Sequence, residues 1–110
     1  MIEKDELRKK VNNADNYMFL AEKYENEARK YYNGVTKHEK EQKNKNLMHA
    51  SRFYTTAKEK YFNILQPIKE NPVELDRVSK DLIKHCKKNY RVCKDRADAI
   101  NRSLVVRIMV

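Results

Sequence analysis

Three groups of residues in this 110-residue chain have types and spacings that could do chemistry. Asp81, His85 and Cys86 form the first. On a helix Asp81 and His85 stand about one turn apart, so the carboxylate could orient the imidazole as a general base. Cys86 is adjacent to that histidine in sequence and points in a different direction, whereas a base that activates a thiol must face it across a cleft. His85, Cys86 and Cys93 also lack the close ligand spacing of zinc sites. Both cysteines are therefore expected to be buried structural thiols. Seven residues apart on a helix, their Cα atoms stand about 10 Å from one another, beyond the roughly 7 Å reach of a disulfide. Unbridged thiols imply a reducing compartment, cytoplasm or, in a eukaryote, nucleus. His38 and His49 add no pattern of their own.

Glu25 is the second candidate, a single charge on an otherwise apolar helical seam. A buried carboxylate could act as a general acid or base. The structural alternative is a polar pair with the residue opposite, and a fold-back of the chain puts the Tyr54 phenol there as a donor. The polar pair is the expectation.

The third group is cationic. Arg77, Lys80, Lys84, Lys87, Arg91 and Lys94 step by three and four residues onto one helix face, and Lys88 widens the stripe. Such a row could follow a phosphate backbone, meet an acidic protein or an anionic membrane surface, or simply be solvated. The whole net charge of +9 lies in residues 34–110, because residues 1–33 carry seven basic and seven acidic side chains. No short helix-turn-helix and no RNA-binding sheet signature accompanies the stripe. Tyr17, Tyr24 and Tyr31 recur every seven residues beside the first seam. They either widen its buried face toward a third helix or form a partner interface. In the apolar segment Leu104–Val110, Val106 and Ile108 are further interface candidates, since exposed apolar ends favour association.

These side chains need long helices to position them. One glycine and two prolines leave no material for a phosphate-cradling loop or a series of tight β-turns. At 40% hydrophobic and 37% charged, the chain suits a compact helical domain rather than a disordered polyelectrolyte. A seam of 3.5-residue period runs Leu7, Val11, Ala14, Met18, Ala21, Ala28, Tyr32 and Val35, and predicts a helix over about 3–33. A second, Leu47, Ala50, Tyr54, Ala57, Tyr61, Ile64 and Ile68, predicts one over about 40–66, ended or kinked by Pro67. The third, over about 72–105, opens with a capping box at Asn71–Glu74. It follows Leu75, Val78, Leu82, Cys86, Tyr90, Cys93, Ala97, Ile100 and Leu104, with a stutter between Leu82 and Tyr90. Gly34 is the natural cap of the first helix.

An offset of 29 aligns the first two seams, and shared seam chemistry accounts for it. Alanine recurs at one layer of both (Ala14, Ala21, Ala28; Ala50, Ala57) and lets two backbones approach closely. A hairpin turning near residues 39 and 40, with 37–46 as its solvated tip, opposes Met18 to Tyr61, Glu25 to Tyr54 and Tyr32 to Leu47. The architecture is one domain, an all-α three-helix antiparallel bundle with a coiled-coil-like, alanine-rich hairpin and a third helix lying across both.

Tyr32-Asn33-Gly34 is similar to the Trp-x-Gly turn of the small helical-hairpin partners of type VII secretion. The likeness covers three residues without the tryptophan, Lys94 stands where that family's carboxy-terminal Tyr-x-x-x-Asp/Glu signal needs an acid after Tyr90, and a third helix departs from its hairpin. No family is assigned on it. The amino-terminal Met1–Glu6 is charged where a secretory leader would be apolar, and no window is apolar enough to span a membrane. The function expected is a non-enzymatic interaction or adaptor module that uses the basic face and the apolar tail on a protein partner or a second copy. Nucleic-acid binding through the stripe is the alternative. No catalytic, metal-binding or cofactor-binding residue is assigned.

Overall fold

A computed structural model describes residues 3–31, 36–70 and 74–109, with side chains as far as residue 104. Three helices, α1 (Lys4–Arg29), α2 (Lys37–Glu70) and α3 (Arg77–Met109), form an all-α bundle about a rod 56 × 22 × 15 Å in extent. α2 is the central member. It packs along both neighbours, while the α1 and α3 backbones approach only at a few places.

The first two seams bury as their periodicity predicts. Leu7, Val11, Ala14, Ala21, Glu25 and Ala28 turn inward from α1, and Leu47, Ala50, Tyr54, Ala57, Tyr61 and Ile64 from α2. All five layer alanines are no more than 1% exposed, which is the close backbone approach that a missing side chain permits. The pairing holds as well: the Tyr54 hydroxyl reaches Glu25, and the Tyr61 hydroxyl lies 3.9 Å from the Met18 sulfur. Tyr32, Gly34 and Val35 lie outside the described residues.

The helix ends differ from the expectation. α1 stops at Arg29, tightened by bonds from the Lys30 and Tyr31 amides to carbonyls three residues back. α2 starts at Lys37, so residues 37–46 are helix rather than a tip. Thr36 caps it: its Oγ1 accepts from the Glu39 amide at 3.1 Å and donates to the Glu39 carboxylate at 2.9 Å. With the pairing centred near residues 39 and 40, the first turns of α2 extend past the end of α1. Nor does Pro67 end α2, which continues to Glu70. It sits in the last turn, where little ladder remains to lose, and Gln66 donates to Glu70 across it at 2.6 Å.

α3 begins later than residue 72, and its seam runs differently. Residues 74–76 are not helical; Asp76, not Asn71, is the cap, its Oδ1 accepting from the Ser79 amide at 2.7 Å. Asn71–Val73 lie outside the described residues. The buried positions are Ser79, Ile83, Cys86, Cys93, Ala97 and Ile100, whereas Val78 is 37% exposed and Leu82 only half-buried. Through Ser79 and Ile83 the seam keeps steps of three and four, counting half-buried Tyr90 and Leu104, so the stutter is absent.

Candidate functional site

Two polar clusters join the helices. In the first, Glu25 is 7% exposed yet fully partnered. The Tyr54 hydroxyl donates to Oε1 at 2.8 Å, and the Arg96 guanidinium pairs with Oε2. Burial pushes the Tyr54 phenol up to about 12, so it stays a donor throughout the neutral range. With both oxygens engaged, this carboxylate has the geometry of the expected polar pair, enlarged by Arg96 of α3. That arginine has no sequence signal, because its partner is 71 positions away.

The second cluster corrects the first candidate. The carboxylate beside His85 is Asp15 of α1, 2.8 Å from Nε2, and Asp81 is an exposed residue without an ion pair among the described residues. Asn89 Nδ2 lies 3.0 Å from the same Nε2, so this nitrogen sits between a carboxylate acceptor and an amide donor and its role follows the tautomer. The Tyr61 hydroxyl donates to the same Asp15 oxygen and accepts from Asn89 Nδ2 at 3.2 Å. Burial, the largest effect, pushes the Tyr61 phenol well above its ordinary range, and its bond to Asp15 adds to this. Cys86 and Cys93 are fully buried free thiols, both pushed up to about 12 by burial. Each is held as the thiol, the opposite of what a nucleophile or redox centre requires.

Together with Lys4 and Asp76, 3.7 Å apart, these clusters form three polar bridges between α1 and α3 at offsets of 70 to 72 residues. Every buried side-chain nitrogen or oxygen among the described residues has a hydrogen-bond partner. Among the same residues no three His, Cys, Asp or Glu side chains converge to hold a metal.

The cationic group lies as the spacing predicts. Arg77, Lys80, Lys84, Lys87, Lys88, Arg91 and Lys94 are all exposed on α3, over about 25 Å. None makes an ion pair with a described residue, although Asp81 and Asp95 border them. Lys4, Arg8, Lys10, Lys30 and Lys37 are all paired. One edge of the stripe meets an open groove of about 610 Å³ between α2 and α3, lined by Phe62, Leu65, Ile83 and Tyr90 with Lys69 and Lys87. The groove is missing from the sequence reading. Phe62, Leu65 and Lys69 form a second stripe beside the α2 seam, and that spacing is the signal that could have found it.

Tyr17 and Tyr24 pack on α2. Tyr24 stacks on Phe53 of α2 at 5.5 Å and lies 5.1 Å from His49; Tyr17 packs on Phe53 at 6.2 Å, under the Lys60 ammonium. Tyr31 is half-buried just after α1. The side chains of Val106 and Ile108 lie outside the described residues, and the backbone there continues α3. No helix among the described residues is long and apolar enough to cross a membrane. Comparison with protein-family models, curated proteins and solved structures gives no match.

Proposed function

We propose that this chain is a non-enzymatic interaction module whose α3 face docks an acidic surface of a protein partner. The observation that carries this is the row of seven exposed cations on one helix face, none of them ion-paired with a described residue. Long helices packed on either side of α2 hold the row in a fixed geometry, which favours complementary docking over loose attraction. Supporting a binding role, Glu25 has partners for both carboxylate oxygens, Tyr54 and Tyr61 are each hydrogen-bonded, and both thiols are held protonated. Two free buried thiols fit work in a reducing compartment, cytoplasm or nucleus. The apolar segment through Val106 and Ile108 extends the same helix and would add contact area beyond the cationic row.

Affinity capture on the full chain tests this, with and without nuclease, beside a variant carrying Lys80→Glu, Lys84→Glu, Lys87→Glu and Arg91→Glu. A protein that survives nuclease and is lost from the variant supports it. Partners that vanish with nuclease would move the stripe to phosphate backbones, with a steep salt dependence. Partners unchanged by charge reversal overturn it.

A further inference from the structure

The groove between α2 and α3 exposes apolar surface that the described residues leave uncovered. Phe62 is 46% exposed although the Tyr90 ring lies 6.3 Å from it, and Leu65 and Tyr90 are half-buried. Its rim is cationic: Lys69 and Lys87 line it and, among the described residues, no carboxylate does. From Phe62 to Lys69 on α2, and from Ile83 to Tyr90 on α3, the walls each run seven residues, about 10 Å or two helical turns. Those dimensions suit the i, i+3 or i+4, i+7 ridge of a helix laid into a groove. Lys80, Lys84, Lys87 and Arg91 then stand in a row along one flank.

We infer that the groove receives an amphipathic helix of a partner protein, its apolar ridge seated on Phe62, Leu65 and Tyr90 and its acidic flank paired with Lys84, Lys87 and Arg91. This rests on the acidic-partner function above and names the chemistry of that partner. Other occupants match the groove less well. The chain's own apolar segment, Leu104–Val110, carries Arg107 and no acidic side chain. A nucleic-acid backbone brings phosphates but no apolar ridge, and a bilayer presents a plane to a concavity.

The test is fluorescence anisotropy of the full chain with a labelled synthetic helical peptide that has leucines at i, i+3 and i+7 and glutamates along one flank. Saturable one-to-one binding is expected. Phe62→Ser, at a surface position where circular dichroism can confirm an intact fold, should weaken it by about tenfold or more, as should serine in place of the leucines. Lys87→Glu and added salt should weaken it several-fold. If the leucine-free acidic peptide or a DNA duplex binds as tightly and Phe62→Ser changes nothing, the groove is not used even though the cationic face is. If Phe62→Ser instead abolishes a dimer in sedimentation, or binding to anionic phospholipid vesicles, another occupant is identified and the inference falls. Failure of the amphipathic peptide to bind overturns the inference alone, since capture with the charge-reversal variant decides the acidic-partner function separately.

Discussion

Raising the pH should unfold this bundle through its two cysteines. Cys86 and Cys93 are 0% exposed, and burial lifts both thiols to about 12 from an ordinary 9. The unfolded chain loses these protons near pH 9, whereas the folded chain holds them until about 12. Stabilisation is therefore fully present below pH 9 and is lost as the pH rises toward 12. At about pH 11 linkage gives about 2–3 kcal/mol for each thiol, so about 5 kcal/mol for the pair. That is a large share of the roughly 5–15 kcal/mol of a small domain. The assay is guanidinium unfolding followed by circular dichroism at about pH 8 and about pH 11, for the wild type and a Cys86→Ala/Cys93→Ala variant. Lysine and tyrosine titration is common to both proteins. Comparing each protein with itself removes the packing lost with the sulfurs. The wild type should lose about 5 kcal/mol more than the variant over that interval. Equal losses would refute the burial of the thiols and reopen Cys86 as a reactive group.

Three shorter predictions follow from the helix contacts. Ile83→Ala should cost about 2–4 kcal/mol in urea unfolding and Val78→Ala less than about 0.5 kcal/mol, which separates the continuous α3 seam from the stuttered one. Tyr54→Phe should cost about 1.5–3 kcal/mol, because it strips a donor from a buried charge, with α-helix content unchanged by circular dichroism. The Ser79 amide holds the Asp76 carboxyl below its ordinary range. The stabilisation from this cap is therefore present at neutral pH and lost as pH falls through the lowered value. Asp76→Ala should remove that acid sensitivity and speed amide exchange in the first turn of α3.

The α1–α2 hairpin is legible in the sequence down to individual contacts, because alanine recurs at one layer and a lone carboxylate on an apolar seam demands a partner opposite it. Glu25 with Tyr54 and Met18 with Tyr61 both follow from that. α3 is less legible, for a physical reason. Ser79 is buried in the turn that Asp76 caps, so an inward position carries a hydroxyl while Val78, an apolar residue, faces water. Following apolar residues alone moves the seam by one position and invents a stutter. The Asp15–His85 and Glu25–Arg96 pairs depend on where α3 begins, and a start near residue 72 conceals their offsets of 70 and 71 residues. The start of α2 was readable, since Thr36 and Glu39 have capping-box spacing. The groove escapes a search for one seam per helix, because Phe62 and Leu65 belong to a neighbouring stripe.

The central position of α2 also sets the order in which the molecule can assemble. Nearly all its packing joins helices adjacent along the chain, so each hairpin closes over a short connection at small entropic cost. The bridges from α1 to α3 join residues about seventy apart and become short-range only once α2 holds both partners. They belong to the last stage of folding. Weakening Asp15–His85 or Glu25–Arg96 should accordingly speed unfolding while leaving the folding rate nearly unchanged, and the lifetime of the native bundle rests on contacts its folding nucleus does not contain.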